Sequence, residues 1–389
     1  MDDKRHVALI VETSSVYGRD LLAGIVRFMG LHNNWSVFLE QRDLWKQPPS
    51  WLKDWHGDGI ITRVTTAKLL SAVAKTKVPL VEVTDRHGTS DLPQVRSDDR
   101  KIGQLAAEHL IERGFSRFAF CGFAYEAWSQ RRQVAFCEAV AETGDCECAV
   151  YNSPWHGPRA NTWEDEQTAI IRWLQSLSPP VAVMACNDIR GQHVLDACSK
   201  LSLAVPEQVA VIGVDNDELL CRICSPPLSS VIPSAEVVGY RAAEILHRLM
   251  NGEEVDHAPV IAEPMGIAMR QSTDVVAIDD RNVASALHYI RRHACRGLSI
   301  AEVVRNNPIS RSTLERQLRR YLGRSPQEEI RHVQIRQVRE LLRTTDLPAE
   351  RIAPLCGFQH SEYMHVVFKR LTGMTTGQFR QKIKPTPRD

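Results

Sequence analysis

Two segments in the last hundred or so residues carry basic and polar side chains at spacings suited to reading DNA. The first runs from Ser299 to Tyr321 and the second from Leu347 to Leu371, and each reads as a short helix, a tight turn and a longer helix. This outline is typical of a helix-turn-helix, whose second helix can enter the major groove of DNA. The repeated pattern predicts two such motifs and DNA binding as the function of this part of the chain.

In the first copy, the second helix is predicted to start at Ser310, because serine is a good N-cap residue. The residues expected to contact DNA here are Ser310, Arg311, Ser312, Thr313, Glu315, Arg316 and Arg319. Arg316 has the length and the planar fork to pair with a guanine edge, whereas Arg319 is expected to touch phosphate. Ser299 and Glu302 have the spacing of a capping box for the preceding helix.

In the second copy, the residues expected to contact DNA are His360, Ser361, Glu362, His365 and Lys369. The only cation in this set is Lys369, and it is expected on phosphate. Residues 325–342 are predicted to form the long helix that joins the copies. For any single charged residue in either copy, a solvated helix face without a DNA contact is the alternative interpretation.

The charge distribution separates this segment from the rest of the chain. The formal net charge of the protein is +1, but residues 282–389 hold 20 Lys and Arg against 9 Asp and Glu. The remaining residues hold 28 against 38. One part of the chain is therefore suited to a polyanion and the other is not.

Residues 7 to about 270 alternate short apolar stretches with amphipathic ones, which predicts alternating strands and helices. The predicted strands are Val7–Val11, Gly59–Thr62, Pro79–Val83, Phe118–Cys121, Val181–Ala185 and Val209–Val214. The predicted helices are Arg19–Met29, Ala67–Lys75, Ile102–Arg113, Arg131–Glu142, Glu166–Leu177, Ile189–Leu203 and Ala235–Met250. This order favours parallel sheets covered by helices on both faces, and the length favours two lobes.

Ligands of such sheets bind beyond the carboxyl ends of the strands, so the residues after each predicted strand are the candidates for a site. They are Glu12–Tyr17, Thr84, Asp85, Gly122–Glu126, Asn187, Asp188, Asp215 and Asn216. No phosphate-binding loop or glycine-rich dinucleotide motif is found among them. Carboxylates and amides with aromatic rings nearby suit a polyhydroxyl ligand, whose hydroxyl groups both donate and accept hydrogen bonds.

Several of these stretches resemble known families. The segments Val95–Gly114, Ala185–Asp188, Val211–Asp215 and Pro226–Val231 resemble those of LacI/GalR regulators and periplasmic sugar-binding proteins. The C-terminal pair of helix-turn-helix motifs resembles the AraC family. This order of domains, with the sugar-binding core first, is similar to that of xylose operon regulators over nearly the whole chain.

The resemblance implies an α/β, two-lobed, periplasmic-binding-protein-like domain at residues 1–275, with parallel sheets flanked by helices, that binds sugar and forms dimers. A linker at 276–284 and an all-α, AraC-type domain with two helix-turn-helix motifs at 285–389 would follow. In that family, the two recognition helices enter successive major grooves about 34 Å apart.

The sugar-binding residues implied by the LacI/GalR pattern are Tyr17, Asp20, Trp128, Arg132, Asn187, Asp188 and Asp215. Each has an alternative role. Asp188 or Asp215 could cap the next helix instead. Arg132, which has Arg131 beside it, could be a surface arginine, and Trp128 could be a packing residue.

The expected function is a sugar-responsive transcription regulator, specifically a D-xylose-dependent activator of xylose catabolism genes. A regulator of another pentose or hexose operon is the first alternative, and a sugar-modifying enzyme fused to a DNA-binding domain is the second. The expected partners are operator DNA, the sugar effector, RNA polymerase and a second copy of the chain, since operators have two-fold symmetry.

An enzyme, a metal protein and a membrane protein are all disfavoured by the sequence. It has no GxSxG motif, no metal-ligand spacing and no apolar run long enough to span a bilayer. Neither cofactor nor metal is therefore expected. The first residues do not resemble a secretory signal, and the ten cysteines fit no disulfide framework, so a cytoplasmic protein with reduced thiols is expected.

Two features depart from the AraC pattern. The first turn contains Asn306, Asn307 and Pro308 where the family carries a small residue and a glycine. The second copy has Pro354 inside its first helix, where proline removes a backbone donor and can kink the helix. These departures bear on how deeply each recognition helix enters its groove.

Overall fold

A computed structural model describes residues 4–32, 35–43, 47–63, 66–84, 92–142, 144, 147–155, 160–274, 278 and 280–383. The chain divides into two compact units. The first unit consists of Met1–Leu201 and Ala210–Asp274, and the second consists of Ser202–Val209 and Val275–Asp389.

The first unit is an α/β structure, as predicted. Its strands are β1 (Arg5–Ile10), β2 (Trp35–Leu39), β3 (Gly59–Thr62), β4 (Leu80–Glu82), β5 (Val95–Ser97), β6 (Phe118–Ala124), β7 (Cys148–Pro154), β8 (Val181–Ala185), β9 (Val209–Val214), β10 (Ser229–Ile232), β11 (Val260–Ala262) and β12 (Gly266–Ala268). Its helices are α1 (Val16–His32), α2 (Ala67–Val73), α3 (Asp99–Ile111), α4 (Ala127–Ala141), α5 (Trp163–Ser176), α6 (Asp188–Lys200), α7 (Glu218–Ile223) and α8 (Ala235–Met250).

Two principal sheets define two lobes. The first lobe has the order β2-β1-β3-β4, and all its strand pairs are parallel. The second lobe has the order β12-β10-β9-β8-β6-β7, in which β12 pairs antiparallel with β10. A parallel pair of β5 and β11 forms a third, two-stranded sheet. Helices α1, α2 and α8 pack on the first lobe, and α3 to α7 pack on the second.

The central strands are continuous apolar runs because both faces of each sheet are covered. Every residue of β3, β8 and β9 is buried. Strand β7 lies at an edge of its sheet and is largely half-buried or exposed, so its residues are less uniformly apolar. The uninterrupted apolar runs therefore predict the central strands, whereas β7 has no such run and was not predicted.

Helices α1 and α8 cross at very short range in the first lobe. A Cβ atom added to Gly24 would lie 2.0 Å from the carbonyl oxygen of Glu236, and one added to Gly239 would lie 1.9 Å from that of Leu21. Only glycine allows this approach. The contact brings the N-terminal helix against a helix more than two hundred residues later in the chain.

The second unit is helical. Its helices are α9 (Arg281–His293), α10 (Ile300–Asn306), α11 (Arg311–Leu322), α12 (Pro326–Thr344), α13 (Ala349–Leu355), α14 (Ser361–Thr372) and α15 (Thr376–Ile383). Helix α9 begins inside the segment predicted as linker, because the Asp280 side chain caps it by accepting from the amides of Asn282 and Val283. Residues 276, 277 and 279 of that segment lie outside the described residues.

Helix α12 belongs to two separate cores. Its residue Ile330 packs with Leu314 and Leu318 of α11, whereas Ile335 and Val338 pack in the core that contains Phe368 of α14. One helix thus supports both helix-turn-helix motifs, as the sequence predicted for residues 325–342. Among the described residues, no helix is both long and apolar enough to cross a membrane.

Candidate functional site

A cleft of about 850 Å³, including its open mouth, lies between the two lobes of the first unit. The first lobe contributes Tyr17 at the start of α1 and Arg63 directly after β3. The second lobe contributes side chains that follow β6, β7, β8 and β9. The cleft therefore lies where the carboxyl ends of parallel strands meet, as expected for a binding site of this fold.

Asp99 and two arginines form a buried cluster on one wall of the cleft. The Nε of Arg132 donates to Oδ1 of Asp99 across 2.9 Å, and Nη2 of Arg131 donates to Oδ2 across 2.7 Å. Arg132 also donates to the carbonyl of Cys186 at 2.7 Å. These contacts orient the Arg132 guanidinium, whose pKa remains above its usual value because the attraction of Asp99 and Asp215 outweighs the effect of burial.

Arg63 and Tyr17 form the opposite wall. The guanidinium of Arg63 is paired with the buried carboxylate of Glu12 and lies 4.8 Å from the centre of the Tyr17 ring. Burial lowers the pKa of Arg63 to about 10, so it is still charged at neutral pH. The Tyr17 hydroxyl is 2.9 Å from the Oγ of Ser97, and burial raises its pKa to about 12.

Asp215 lines the cleft and directly follows β9. Its φ of 107° and the φ of 53° at Asn216 place two successive residues in the left-handed region, which Asp and Asn tolerate better than most residues. Burial raises the pKa of the Asp215 carboxyl to about 6, against the lowering effect of Arg132 and Arg63. Among the described residues, no side-chain hydrogen bond to this carboxylate is found. Asp215 is therefore available to a ligand.

Asn187, and not Asp188, caps α6. The Asn187 side chain accepts from the amide of Arg190 at 3.0 Å, so the alternative interpretation of Asp188 as the cap of this helix is wrong. Asp188 occupies the first helical position, where it accepts from the amide of Asp217 at 2.8 Å and from the hydroxyl of Ser230 at 2.7 Å. Burial raises its pKa to about 8, and the nearby Asp215 adds to this shift. Asp215 is not a cap either, since Asp217 caps α7.

Aromatic rings form a third wall. Trp128 and Trp155 both line the cleft, with ring centres 5.9 Å apart in an edge-to-face arrangement. Trp155 stacks on Phe123 at 4.5 Å, and the guanidinium of Arg132 lies 4.8 Å from the Trp128 ring centre. The Nε1 of Trp128 donates to Glu126 at 3.2 Å. These contacts fix both indoles at the surface of the cleft.

The structure brings most of the sequence-predicted ligand residues together. Tyr17, Trp128, Arg132, Asn187, Asp188 and Asp215 all line the cleft. Asp20 does not line it. It is half-buried on α1, where burial and the nearby Glu236 raise its pKa. Thr84 also lines the cleft, whereas Asp85 lies outside the described residues.

The lining residues that the sequence did not predict include Arg63, Asp99, Arg131 and Trp155. Arg63 directly follows a correctly predicted strand, so the strand-end rule could have found it. Trp155 follows β7, which was not predicted. Asp99 is buried only because α3 packs on α4, and no local pattern shows that contact.

The cleft combines charged acceptors and donors with aromatic planes in a partly buried space. Hydroxyl groups of a sugar can donate to Asp215 and accept from Arg63 or Arg132, while its C–H faces can pack on an indole ring. Nothing in this set resembles a nucleophile with its base. The arrangement is suited to binding a small polyhydroxyl molecule.

In the second unit, α11 exposes a basic face. Its N-cap is Ser310, as predicted, which accepts from the amide of Thr313 at 3.1 Å. Of the predicted DNA-binding residues, Arg311, Ser312, Glu315, Arg316 and Arg319 are exposed. Thr313 is half-buried, and its hydroxyl lies 2.8 Å from that of Ser310.

Helix α14 exposes a less basic face. His360, Glu362 and Lys369 are exposed, whereas Ser361 and His365 are half-buried. The Nδ1 of His365 lies 3.0 Å from the hydroxyl of Thr376 at the start of α15. The imidazole therefore has a partner within the protein already.

The unusual turns have a physical explanation. The Asn307 side chain donates to the carbonyl of Val303 at 2.8 Å and accepts from the Ser285 hydroxyl at 3.0 Å, so an amide satisfies the end of α10. Pro354 lies in the last turn of α13, which ends one residue later. The turn residue Gly357 has a φ of 74°, and a Cβ there would lie 2.8 Å from the carbonyl carbon of Cys295.

Gln334 of α12 joins the two motifs. It is buried, and its Nε2 donates to the carbonyl of Ala294 at 3.0 Å and to the carbonyl of Gly357 at 3.1 Å. Ala294 belongs to the core of the first motif, and Gly357 is the turn of the second. One side chain thus ties both motifs to the same helix.

Comparison with known families agrees with the division of the chain into two units. A periplasmic binding protein-like domain matches residues 107–273, and a helix-turn-helix domain matches residues 303–382. The XylR N-terminal domain matches residues 6–97. A chain that joins a sugar-type binding fold to a DNA-binding domain is a sugar-responsive transcription regulator.

Its full-length relatives make the assignment specific. The xylose operon regulatory protein of Escherichia coli (strain K12) is 32% identical over 98% of this chain and 98% of that protein. The protein of the same name from Haemophilus influenzae is 31% identical over 96% of this chain and 97% of that protein. The chain belongs to the family of xylose operon regulatory proteins. These relatives are transcription regulators and not enzymes.

Solved structures show the same architecture. The structure of the xylose-binding transcription activator XylR superimposes with a TM-score of 0.85 at 30% identity, over 98% of this chain and 99% of that one. The transcriptional regulator CelR in complex with cellobiose has a TM-score of 0.57 at 21% identity and covers 70% of this chain and 86% of that one. The second match shows the fold alone.

Proposed function

We propose that this chain is a D-xylose-dependent activator that binds sugar in the cleft and operator DNA through α11 and α14. The observation that carries the sugar assignment is the Asp215 carboxylate, which lies in the cleft near two guanidinium groups with no hydrogen-bonding side chain from the described protein. Relatives along the whole chain are named for the xylose operon.

The proposed sugar contacts come from both lobes. Arg63 and Tyr17 would approach one side of the ring and Asp215, Arg132 and Trp128 the other. A sugar that contacts both lobes binds more tightly to the arrangement of the lobes that places these side chains around it. This difference in affinity between arrangements of the lobes shifts their populations, and the shift can change DNA binding. A wrong epimer would leave one buried polar group unpaired, at about 1–3 kcal/mol.

The proposed DNA contacts are the predicted residues of α11 and α14. Support comes from the exposure of Arg311, Arg316, Arg319 and Lys369 and from the positive charge of residues 282–389. We also propose that the active species is a homodimer that recruits RNA polymerase in the cytoplasm, because symmetric operators are bound by symmetric proteins.

Thermal denaturation of the full chain with a panel of pentoses and hexoses tests the sugar assignment. At 100 times its Kd, a ligand that binds only the folded state stabilises it by about 2.7 kcal/mol. D-Xylose should raise the melting temperature. A clear shift with a different sugar and none with D-xylose would favour the alternative, a regulator of another sugar operon.

The Asp215→Ala variant tests whether the cleft is the sugar site. It should weaken sugar binding by about 1–3 kcal/mol in calorimetry, because sugar hydroxyls lose a charged acceptor. Its affinity for DNA without sugar should stay unchanged. If the variant bound the sugar as tightly as the parent chain, Asp215 would not contact the sugar.

A further inference from the structure

The two recognition helices can be aligned residue by residue. Helix α11 begins at Arg311 and α14 begins at Ser361, fifty residues later. The same offset relates buried Leu314 to buried Met364 and buried Leu318 to buried Phe368. The buried positions therefore confirm the alignment, and the exposed positions can be compared directly. The equivalent pairs in which both side chains are exposed include Ser312 and Glu362, Arg316 and Val366, and Arg319 and Lys369.

One equivalent pair differs in chemistry. Arg316, the residue proposed to read guanine, corresponds to Val366 in the second copy. Both side chains are exposed, and that of Val366 is 64% exposed. The second copy therefore presents an apolar side chain at the position where the first presents a guanidinium.

The fold itself gives Val366 no role. The buried residues of α14 are Met364, Val367 and Phe368, which pack against α12 and α15. Val366 lies outside this core. Its exposed neighbours one helical turn away are Tyr363, whose ring packs edge-on against Phe358, and the charged residues Glu362, Lys369 and Arg370.

DNA offers one apolar group at the right place. In the major groove the base edges present hydrogen-bond donors and acceptors together with the C5-methyl group of thymine, and aliphatic side chains contact that methyl. The surroundings of Val366 suit DNA, since residues 282–389 carry twice as many basic as acidic residues. A protein partner would be expected to cover a wider apolar patch than one valine.

We infer that Val366 reads the C5-methyl group of a thymine in the half-site bound by the second helix-turn-helix. This inference rests on the proposed function, because it requires α14 to lie in the major groove. It makes the two copies differ in kind: the first reads guanine through hydrogen bonds, and the second reads thymine through an apolar contact.

Single replacement of thymine by deoxyuridine isolates this contact, because deoxyuridine lacks only the C5-methyl group. A binding site for the full chain is first selected from a random DNA pool, and each thymine is then replaced in turn. At one thymine in the half-site of the second copy, the parent chain should lose about three- to five-fold in affinity, which is the effect expected for one buried methyl group.

The variants Val366→Ser and Val366→Ile complete the test. Val366→Ser should bind the thymine and deoxyuridine sites alike at that position, whereas Val366→Ile, which keeps the apolar contact, should still discriminate. Leu355→Ser is the matched control, because Leu355 is also exposed, at 56%, but lies on α13. It should discriminate as the parent does. Because Val366 lies outside the core, both of its variants should fold, which circular dichroism can check.

Three outcomes would overturn the inference. The first is a parent chain that tolerates deoxyuridine at every position. The second is a Val366→Ser variant that still discriminates at the same thymine. The third is a Val366→Ser variant that loses transcription activation but discriminates thymine from deoxyuridine as the parent chain does, which would assign Val366 to a protein partner. If instead the full chain selected no DNA sequence at all, the proposed function would fail together with the inference.

Discussion

The guanidinium of Arg132 and the carboxylate of Asp99 form a buried ion pair, with Nε and Oδ1 separated by 2.9 Å and the side chains 5% and 4% exposed. The pair joins α4 to α3 beneath the wall of the cleft. It holds the guanidinium where a ligand can reach it. The same carboxylate also accepts from Arg131, so it balances two positive charges.

Replacement of Asp99 by Asn is expected to destabilise the first unit by about 3–5 kcal/mol, because it leaves the buried Arg132 without its counter-ion. Chemical denaturation measures this change. The control is Glu138→Gln, which breaks the ion pair between Glu138 and Arg100 on the same two helices. Those side chains are 55% and 52% exposed, so the loss should be about 0–1 kcal/mol. Equal losses in the two variants would show that burial of the Arg132 pair is unimportant.

Sugar affinity is expected to fall at acid pH. Burial raises the pKa of Asp215 to about 6, partly offset by Arg132 and Arg63. The ionised carboxylate is the better acceptor for a sugar hydroxyl, so bound sugar should lower this pKa and binding should release protons near pH 6. Affinity should therefore be highest above about pH 7 and decrease as the pH falls through 6. Calorimetry in two buffers of different ionisation enthalpy measures both effects.

The Asp215→Asn variant is the control for this pH dependence. It cannot titrate at this position, so its weaker sugar affinity should be nearly constant between pH 5 and pH 7. Asp188 should not contribute in that range, because burial raises its pKa to about 8. A pH profile in the variant identical to that of the parent would assign the titration to another group.

The crossing of α1 and α8 predicts opposite effects of alanine at two glycines. Gly239→Ala should destabilise the first unit by about 3 kcal/mol, because its Cβ would meet the carbonyl oxygen of Leu21 at 1.9 Å. Gly30→Ala should stabilise it by about 0.5–1 kcal/mol, because Gly30 lies on exposed α1 surface with no described atom within 4 Å of the added Cβ. Thermal denaturation distinguishes the two. A harmless Gly239→Ala would mean that the helices cross at a greater distance.

Arg316→Ala and Lys369→Ala should affect DNA binding in different ways. Arg316→Ala is expected to cost about 1–3 kcal/mol on the selected site and to relax the preference at one base pair. Lys369→Ala should weaken binding to all sequences about equally and reduce the slope against salt by about one. Gel-shift titrations on specific and scrambled DNA at two salt concentrations measure both. If Arg316→Ala weakened both DNAs alike, α11 would not be reading bases through Arg316.

Much of the architecture follows from local sequence patterns. The bounds of β3, β8, β9 and α8 agree with those predicted, because apolar runs and amphipathic periods there are uninterrupted. Strands β2, β5, β7, β10, β11 and β12 were not predicted. They are short or lie toward sheet edges, where one-sided burial leaves a weaker apolar signal.

The site was only partly predictable for a related reason. Arg132 and Asp215 could be proposed from the sequence because they match a known pattern at strand and helix ends. The role of Asp99, and the fact that it binds both Arg131 and Arg132, depend on how α3 packs against α4. The ligand role of Asp20 stays a prediction, and Asp20 is not among the residues that line the cleft.

By itself, the sequence determined the elements whose causes are local: the capping box of Ser299 and Glu302, the N-cap at Ser310, and a motif repeated at a spacing of fifty residues. Only the tertiary structure decided which side chains meet across the cleft, that Asp188 accepts hydrogen bonds from Asp217 and Ser230, and that Asp215 has a raised pKa. The physical reason is the distance along the chain over which each interaction acts. Capping and periodicity act within a few residues, whereas burial and ion pairing depend on groups that the fold brings together from distant parts of the chain.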